Sequence, residues 1–228
     1  MSEVLENPSP ESVSSDNAQE AKRCRVLTRG ERYVVRRWWQ RLTLSEAQAR
    51  EHKLPPPWPR GVKANLRRCE SPEAAVLTEG FRKLWQMLEK DAPESIDLPD
   101  YKRQGFEAWA CVATVLAELR KEQPGSTLGE LLAQQKDNTG KPLVSELRFQ
   151  QLQQSHSAGE LVRRLRRVLA HAGKEGVSVV NLADDILLWH REHAANATVH
   201  TRRTEDRLAF RWANDYFTTL AKYQRENS

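Results

Sequence analysis

The segment 157–172, SAGELVRRLRRVLAHA, places an apolar face and a cationic face on one predicted helix. At about 100° per residue, the aliphatic side chains fall within one arc and the arginines lie opposite. Ser157 and Glu160 have the spacing of a capping box, and Gly173 is typical of a helix end. The apolar residues are Leu161, Val162, Leu165, Val168, Leu169 and Ala172, and the arginines are Arg163, Arg164, Arg166 and Arg167.

The chemistry that this cationic face could perform is anion binding. A helix face that is merely solvated usually offsets arginine with glutamate at four-residue spacing. Here Glu160 is the only acid, and it faces Arg164. The pattern is typical of the basic stripes of nucleic-acid-binding proteins, and a solubilising face is the alternative. Four arginines contacting four phosphates of a single strand would give a slope of log K against log salt of about −3.

A second basic pair, Arg67 and Arg68, comes shortly before a predicted helix that Ser71 caps and Pro72 begins. Guanidinium groups beside the positive end of a helix dipole favour an approaching phosphate. The stripe predicted to be buried in this region consists of Leu77, Phe81, Leu84, Trp85 and Leu88. Trp38 and Trp39, farther upstream, are predicted to pack in the core rather than to stack on bases.

The charge of the chain is unevenly distributed. The formal net charge is +5, but residues 1–20 contain five acidic residues and no Lys or Arg, so the remaining residues carry +10. A basic protein of this kind attracts polyanions, either nucleic acid or an anionic membrane. No apolar run approaches the roughly 20 residues of a membrane span, and the cationic helix lacks interfacial Trp or Phe. The sequence therefore favours nucleic acid over a membrane.

Helical periodicity along the chain predicts an all-α fold in two lobes. Residues 1–27 are read as a disordered acidic tail, because they are polar and rich in Ser and Pro. Residues 28–140 form a predicted N-terminal helical lobe with a Pro-rich loop inserted at 43–63, and the apolar segment 106–119 is its central helix. Residues 141–228, which contain a single proline near their start, form a C-terminal bundle with a basic face.

Catalytic motifs are missing from the sequence. There is no serine elbow, no phosphate-binding Gly-rich loop and no HExxH motif. The best metal candidates are Asp184, Asp185, His190 and His193, but positions two turns apart on one helix do not converge on an ion. Acidic residues near the start of a hydrated helix explain the two aspartates without a ligand. We predict neither an enzyme nor a cofactor nor a metal site.

Three cysteines without CxxC spacing, Cys24, Cys69 and Cys111, together with the lack of a signal peptide, indicate a reduced, cytoplasmic protein. No helix-turn-helix pattern places side chains for base edges. The expected nucleic-acid contact is therefore to the backbone and independent of sequence.

Four segments in order carry a resemblance to a known family. They are LRRCESPEAA at 66–75, STLGELLA at 126–133, SELRFQQLQQSHSAGELVRRLRRVLAHA at 145–172 and VNLADDILLWH at 180–190. Together they resemble the CasB family, the small subunit of the type I-E CRISPR Cascade surveillance complex, over roughly residues 36–220. The acidic tail, the insertion at 43–63 and a longer link before the last helix depart from the family pattern.

The resemblance implies an all-α, two-lobed, non-catalytic subunit present in two copies, beside guide RNA, repeated backbone subunits and a large subunit. Such a subunit helps to hold the guide-paired target strand and the displaced DNA strand, and so stabilises the R-loop. The positions that match the family motifs are Arg67, Arg68, Arg148, Arg166 and Arg167. Charge alone adds Arg163, Arg164, Arg202 and Arg203 to the predicted nucleic-acid-binding residues.

Two other hypotheses remain open at this stage. The first is a helical scaffold whose arginine faces dock acidic protein surfaces. The second is a metal-dependent nuclease that uses Asp184 and His190.

Overall fold

The computed structural model describes residues 20, 22–91, 100–135, 141–173, 175–194 and 203–226. Within these ranges the secondary structure is helical, with two isolated β-bridges and no strand, so the prediction of an all-α fold is confirmed. A 3-10 turn at Thr204–Asp206 precedes the last helix. The helices are α1 (Arg29–Thr43), α2 (Glu46–Glu51), α3 (Arg60–Arg68), α4 (Pro72–Val76), α5 (Glu79–Asp91), α6 (Asp100–Leu116), α7 (Leu128–Ala133), α8 (Glu146–Gln153), α9 (Ala158–Ala172), α10 (Val179–His193) and α11 (Leu208–Glu226).

Helix α6 lies at the centre of the core. It packs against α4 and α5 from the first half of the chain and against α9 and α10 from the second half. Gly105 has φ +74°, which interrupts α6, and the apolar part follows as predicted but ends at Leu116 rather than at 119. The buried apolar residues of both halves form one continuous cluster. The domain boundary at residue 140 therefore stays a prediction.

The packed chain begins before the predicted end of the tail at residue 27. The Glu20 side chain is almost fully buried and pairs with Arg36. Its carboxylate also accepts hydrogen bonds from the Ser178 hydroxyl and from the backbone N–H of Gly125. These partners lie far along the chain, so the local composition on which the tail prediction rested could not reveal them. Residues 1–19 lie outside the described residues.

The insertion at 43–63 was predicted to be a loop, but part of it is helical. Ser45 caps α2 by accepting a hydrogen bond from the backbone of Gln48 at 3.3 Å, and the first turn of α3 also lies within the insertion. Trp58 holds the segment on α1. Its backbone N–H donates to the carbonyl of Arg41 at 2.8 Å, and the Arg41 guanidinium lies 4.5 Å from the Trp58 ring centroid. The proline-rich segment is thereby fastened to the core.

Most of the predicted buried side chains are buried, including Trp38 and Trp39. Two residues of the predicted stripe differ, because Leu77 is 88 % exposed and Trp85 is only partly buried. The predicted single helix is two helices, and Leu77 ends the short α4 in the link before α5. A residue in such a link no longer follows the helical period of the next helix. Among the described residues, no helix has the length and apolarity to cross a membrane.

Candidate nucleic-acid interface

Helix α9 has the two faces that its sequence predicts. All six apolar residues of its stripe are buried, Ser157 caps the helix, and Gly173 ends it with φ +66°. The capping differs in one detail. The Glu160 carboxylate accepts a hydrogen bond from the backbone N–H of His156 at 2.9 Å, one residue before the cap. This bond lowers the pKa of Glu160, and the charge of Arg164 acts in the same direction.

Two arginines of α9 are engaged within the protein. Arg164 bonds the carbonyl of Gln151, lies 3.4 Å from the Ser155 hydroxyl and pairs with Glu160. These contacts fasten the end of α8 to the first turns of α9. Most of the guanidinium's hydrogen-bonding capacity is therefore directed at protein groups.

Arg166 performs the same role on the opposite side of the helix. Its Nε lies 3.0 Å from a carboxylate oxygen of Glu118, and one Nη donates to the carbonyl of Cys69 at 2.7 Å. The other Nη bonds the carbonyl of Arg67. The Arg67 side chain in turn donates to the other oxygen of Glu118 at 2.8 Å. Glu118 thus joins two arginines, and Arg166 is a junction between α9, α3 and the end of α6.

Part of the predicted set remains available for other partners. Four are exposed and make no hydrogen bond or ion pair with any part of the chain that the structure describes, namely Arg68, Arg148, Arg163 and Arg167. Arg203 is exposed and lies 3.9 Å from Glu205. Arg202 lies outside the described residues.

A cleft of about 500 Å³, the α8–α9 cleft, brings two of these arginines together. Arg148 of α8 and Arg167 of α9 line it, with the immobilised Arg164 between them. Val144, Leu152 and Val168 also line the cleft, but they are buried, with exposed fractions of 1, 1 and 7 %. The exposed guanidinium groups of Arg148 and Arg167 suit the phosphates of a nucleic-acid backbone.

His171 is a lining residue that sequence reasoning missed. It lies four residues after Arg167 and seven after Arg164. That spacing places the three side chains on one face, so the signal was available. Arg67 and Arg68 do not line this cleft.

The aspartates that sequence analysis considered for metal binding are engaged in the core. Asp184 accepts hydrogen bonds from three consecutive backbone N–H groups, those of Arg25, Val26 and Leu27, at 2.9, 2.8 and 2.8 Å. The expectation of a hydrated helix was wrong, because Asp184 is 1 % exposed and Asp185 is 4 % exposed. Asp184 therefore holds the segment before α1 in place, and its carboxylate is occupied by backbone N–H groups rather than by a metal ion.

Asp185 accepts a hydrogen bond from Trp212 Nε1 at 2.7 Å and lies 3.8 Å from Arg211. Burial raises its pKa to about 6 despite these two partners. His190 is turned into a partly buried site where desolvation, and then the charge of His193, lower its pKa to about 4. No group of three potential ligands within the described ranges could hold a metal ion.

Comparison with known families gives one match. The model of the family described as CRISPR-associated protein Cse2 matches residues 62–217. This range includes the α8–α9 cleft, and it leaves out α1, α2 and most of the insertion, whereas the resemblance had been placed from residue 36. No curated protein and no solved structure matches the chain. Since the family match covers well over half of the chain, the chain belongs to the Cse2 family, the small subunit (CasB) of type I-E Cascade.

Proposed function

We propose that the chain is a non-catalytic subunit of a cytoplasmic Cascade complex that binds the nucleic-acid backbone independently of sequence and stabilises the R-loop. Its partners in this role are the repeated backbone subunits, the large subunit, a second copy of the chain, guide RNA and both strands of target DNA. The observation that carries the proposal is the α8–α9 cleft, where Arg148 and Arg167 are exposed and no described residue forms an ion pair with them.

The geometry of the cleft favours nucleic acid over a solvated surface. Arg164 is fixed by Gln151 and Glu160, so the wall between the two free arginines is rigid. A rigid wall reduces the entropy that is lost when a strand binds.

A weak backbone contact is sufficient for R-loop stabilisation. Exchange of a DNA duplex for an RNA–DNA hybrid is nearly balanced in free energy, so a few contacts to one strand shift the equilibrium. Assembly within a complex raises the effective concentration of the cleft near the strand.

The test is the salt dependence of binding of the full chain to a fluorescein-labelled oligothymidylate, between about 50 and about 200 mM salt. The variant is Arg148→Gln/Arg167→Gln. The matched control is Arg29→Gln/Arg82→Gln, which removes the same charge from two exposed positions that do not line the cleft. We expect the slope to become shallower by about 1.4 in the cleft variant, since each phosphate contact to a single strand contributes about 0.7.

The same variants should be assembled into Cascade, and the lifetime of the R-loop on target DNA should be measured. A shorter lifetime with the cleft variant, equal for several target sequences, supports the proposal. If the slopes of the cleft variant and the control are equal, the cleft does not contact phosphates. Loss of complex assembly in that case would favour the scaffold hypothesis.

A further inference from the structure

A second basic depression, the insertion groove, lies on α3, away from the α8–α9 cleft. It has a volume of about 940 Å³ between the end of α1, α2, the proline-rich segment and α3. Four cations line it, Arg60, Lys63, Arg67 and Arg120, and one acid, Glu46. An imbalance of this kind inside a concave site concentrates positive potential.

Helix α3 presents three of these cations on one face. Arg60, Lys63 and Arg67 are separated by three and four residues, which places their side chains above one another. Arg120, which follows α6, approaches Lys63 closely enough to affect its pKa. The carboxylate of Glu46 is paired with Arg50 at 3.3 Å, and both side chains are mostly exposed. Glu46 therefore neutralises little of the positive charge that lines the groove.

Lys63 is the most buried of the four, and no ion pair joins it to a carboxylate of the described residues. Its Nζ lies 3.4 Å from the Thr43 hydroxyl and 3.5 Å from the Leu119 carbonyl, and both partners are neutral. Burial lowers the pKa of Lys63, and the neighbouring Arg67 adds to this effect. The nearest acid, Glu118, opposes the shift, but its two oxygens are bonded by Arg67 and Arg166. A half-buried ammonium group without its own carboxylate is stabilised when an anion binds.

The start of α3 adds to this imbalance. Pro59 occupies the N-cap position without a side-chain hydrogen bond to the helix, and the first turn contains no acidic residue. By contrast, α1, α2 and α4 begin with a capping hydroxyl and an acid in the first turn. The N–H of Val62 donates to the Pro59 carbonyl at 2.9 Å. The first turn thus carries a cation, Arg60, and no acid at the positive end of the helix dipole. A Cβ at Gly61 would meet no atom within 4 Å, so space is open beside this turn.

We propose that the insertion groove binds phosphate groups of a single-stranded nucleic-acid segment, as an anchor separate from the α8–α9 cleft. The proposal rests on the proposed function, because it takes nucleic acid as the ligand of this subunit. Most of the groove's wall, residues 42–59, precedes the family match at 62–217. The insertion therefore forms most of the wall, whereas three of the four cations, Lys63, Arg67 and Arg120, lie within the family match.

The experiment uses the full chain and the labelled oligothymidylate. Lys63→Gln/Arg120→Gln is compared with the control Arg29→Gln/Arg82→Gln and with the cleft variant. We expect the salt slope of the groove variant to become shallower by about 1.4 relative to the control. Its thermal midpoint should equal or exceed that of the wild type, because Lys63 is held among cations in the absence of an anion.

Each outcome decides the proposal. A slope equal to that of the control overturns it, and so does a thermal midpoint that falls while the slope is unchanged, because Lys63 would then be structural. If only the cleft variant changes the slope, the groove proposal fails and the proposed function stands. If only the groove variant changes the slope, the cleft proposal fails and the groove stands. A shallower slope in both variants supports two anchors.

Discussion

Arg166→Ala should destabilise the fold, whereas Arg167→Ala on the same helix should not. Arg166 bonds Glu118 and the carbonyls of Cys69 and Arg67, and its side chain is 23 % exposed. Arg167 is exposed and lines the α8–α9 cleft. The two substitutions are chemically identical and neighbouring, so they remove the same charge and change helix propensity equally.

The magnitude follows from what each partner loses. A hydrogen bond to a charged group contributes about 1.5–3 kcal/mol when it is shielded from water. Glu118 keeps its bond to Arg67, and the carbonyl of Arg67 can be solvated because that residue is exposed. We therefore expect a net loss of about 2 kcal/mol for Arg166→Ala, which corresponds to about 4–8 °C in thermal midpoint for a chain of this size. An exposed substitution such as Arg167→Ala should stay within about 0.5 kcal/mol.

Thermal unfolding followed by far-ultraviolet circular dichroism measures the difference. A double-mutant cycle with Glu118→Gln isolates the Arg166–Glu118 pair from the two carbonyl contacts. Equal midpoints for Arg166→Ala and Arg167→Ala would refute the reasoning, because the junction between α9, α3 and the end of α6 would then contribute no stability. A loss confined to Arg167→Ala would reverse the assignment of the two residues.

Two further predictions concern the core, and a third concerns an exposed residue. Burial raises the pKa of Asp185 from 3.8 to about 6, so the folded state binds more protons than the unfolded state between these values and loses stability as pH rises. The thermal midpoint of Asp185→Asn minus that of the wild type should increase between pH about 4 and pH about 6, and a constant difference would contradict this. Gly129→Ala should lower the midpoint, because its Cβ would lie 2.6 Å from the Trp212 carbonyl and 2.7 Å from Asp215 Cβ; an unchanged midpoint would show that α7 and α11 separate freely. Leu77→Ser should leave the thermal midpoint within about 2 °C of the wild type, since Leu77 is 88 % exposed. A large drop in the midpoint of thermal or urea unfolding would show that Leu77 is buried.

Local patterns in the sequence predicted what local physics determines. The apolar arc of α9, the cap at Ser71 and the end at Gly173 depend on residues within one or two turns. The burial of Asp184 could not be predicted in this way. Its three donors lie near residue 26, about 160 positions away, and a helix that starts with aspartates looks the same in sequence whether water or backbone N–H groups solvate it.

Contacts between residues that are distant in sequence also decide which of the predicted arginines can bind phosphate. Arg166 and Arg167 are adjacent and have equal charge, yet Glu118, 48 residues before Arg166, neutralises only the first. Arg164 is likewise engaged by α8. Of the four arginines on α9, Arg163 and Arg167 remain, so this helix should contribute a salt slope of about 1.4 in magnitude rather than the value near 3 that four contacts would give. Arg148 raises the expected value for α8 and α9 together to about 2.1. A measured slope as steep as 3 or more therefore requires cations outside these two helices, and four cations line the insertion groove.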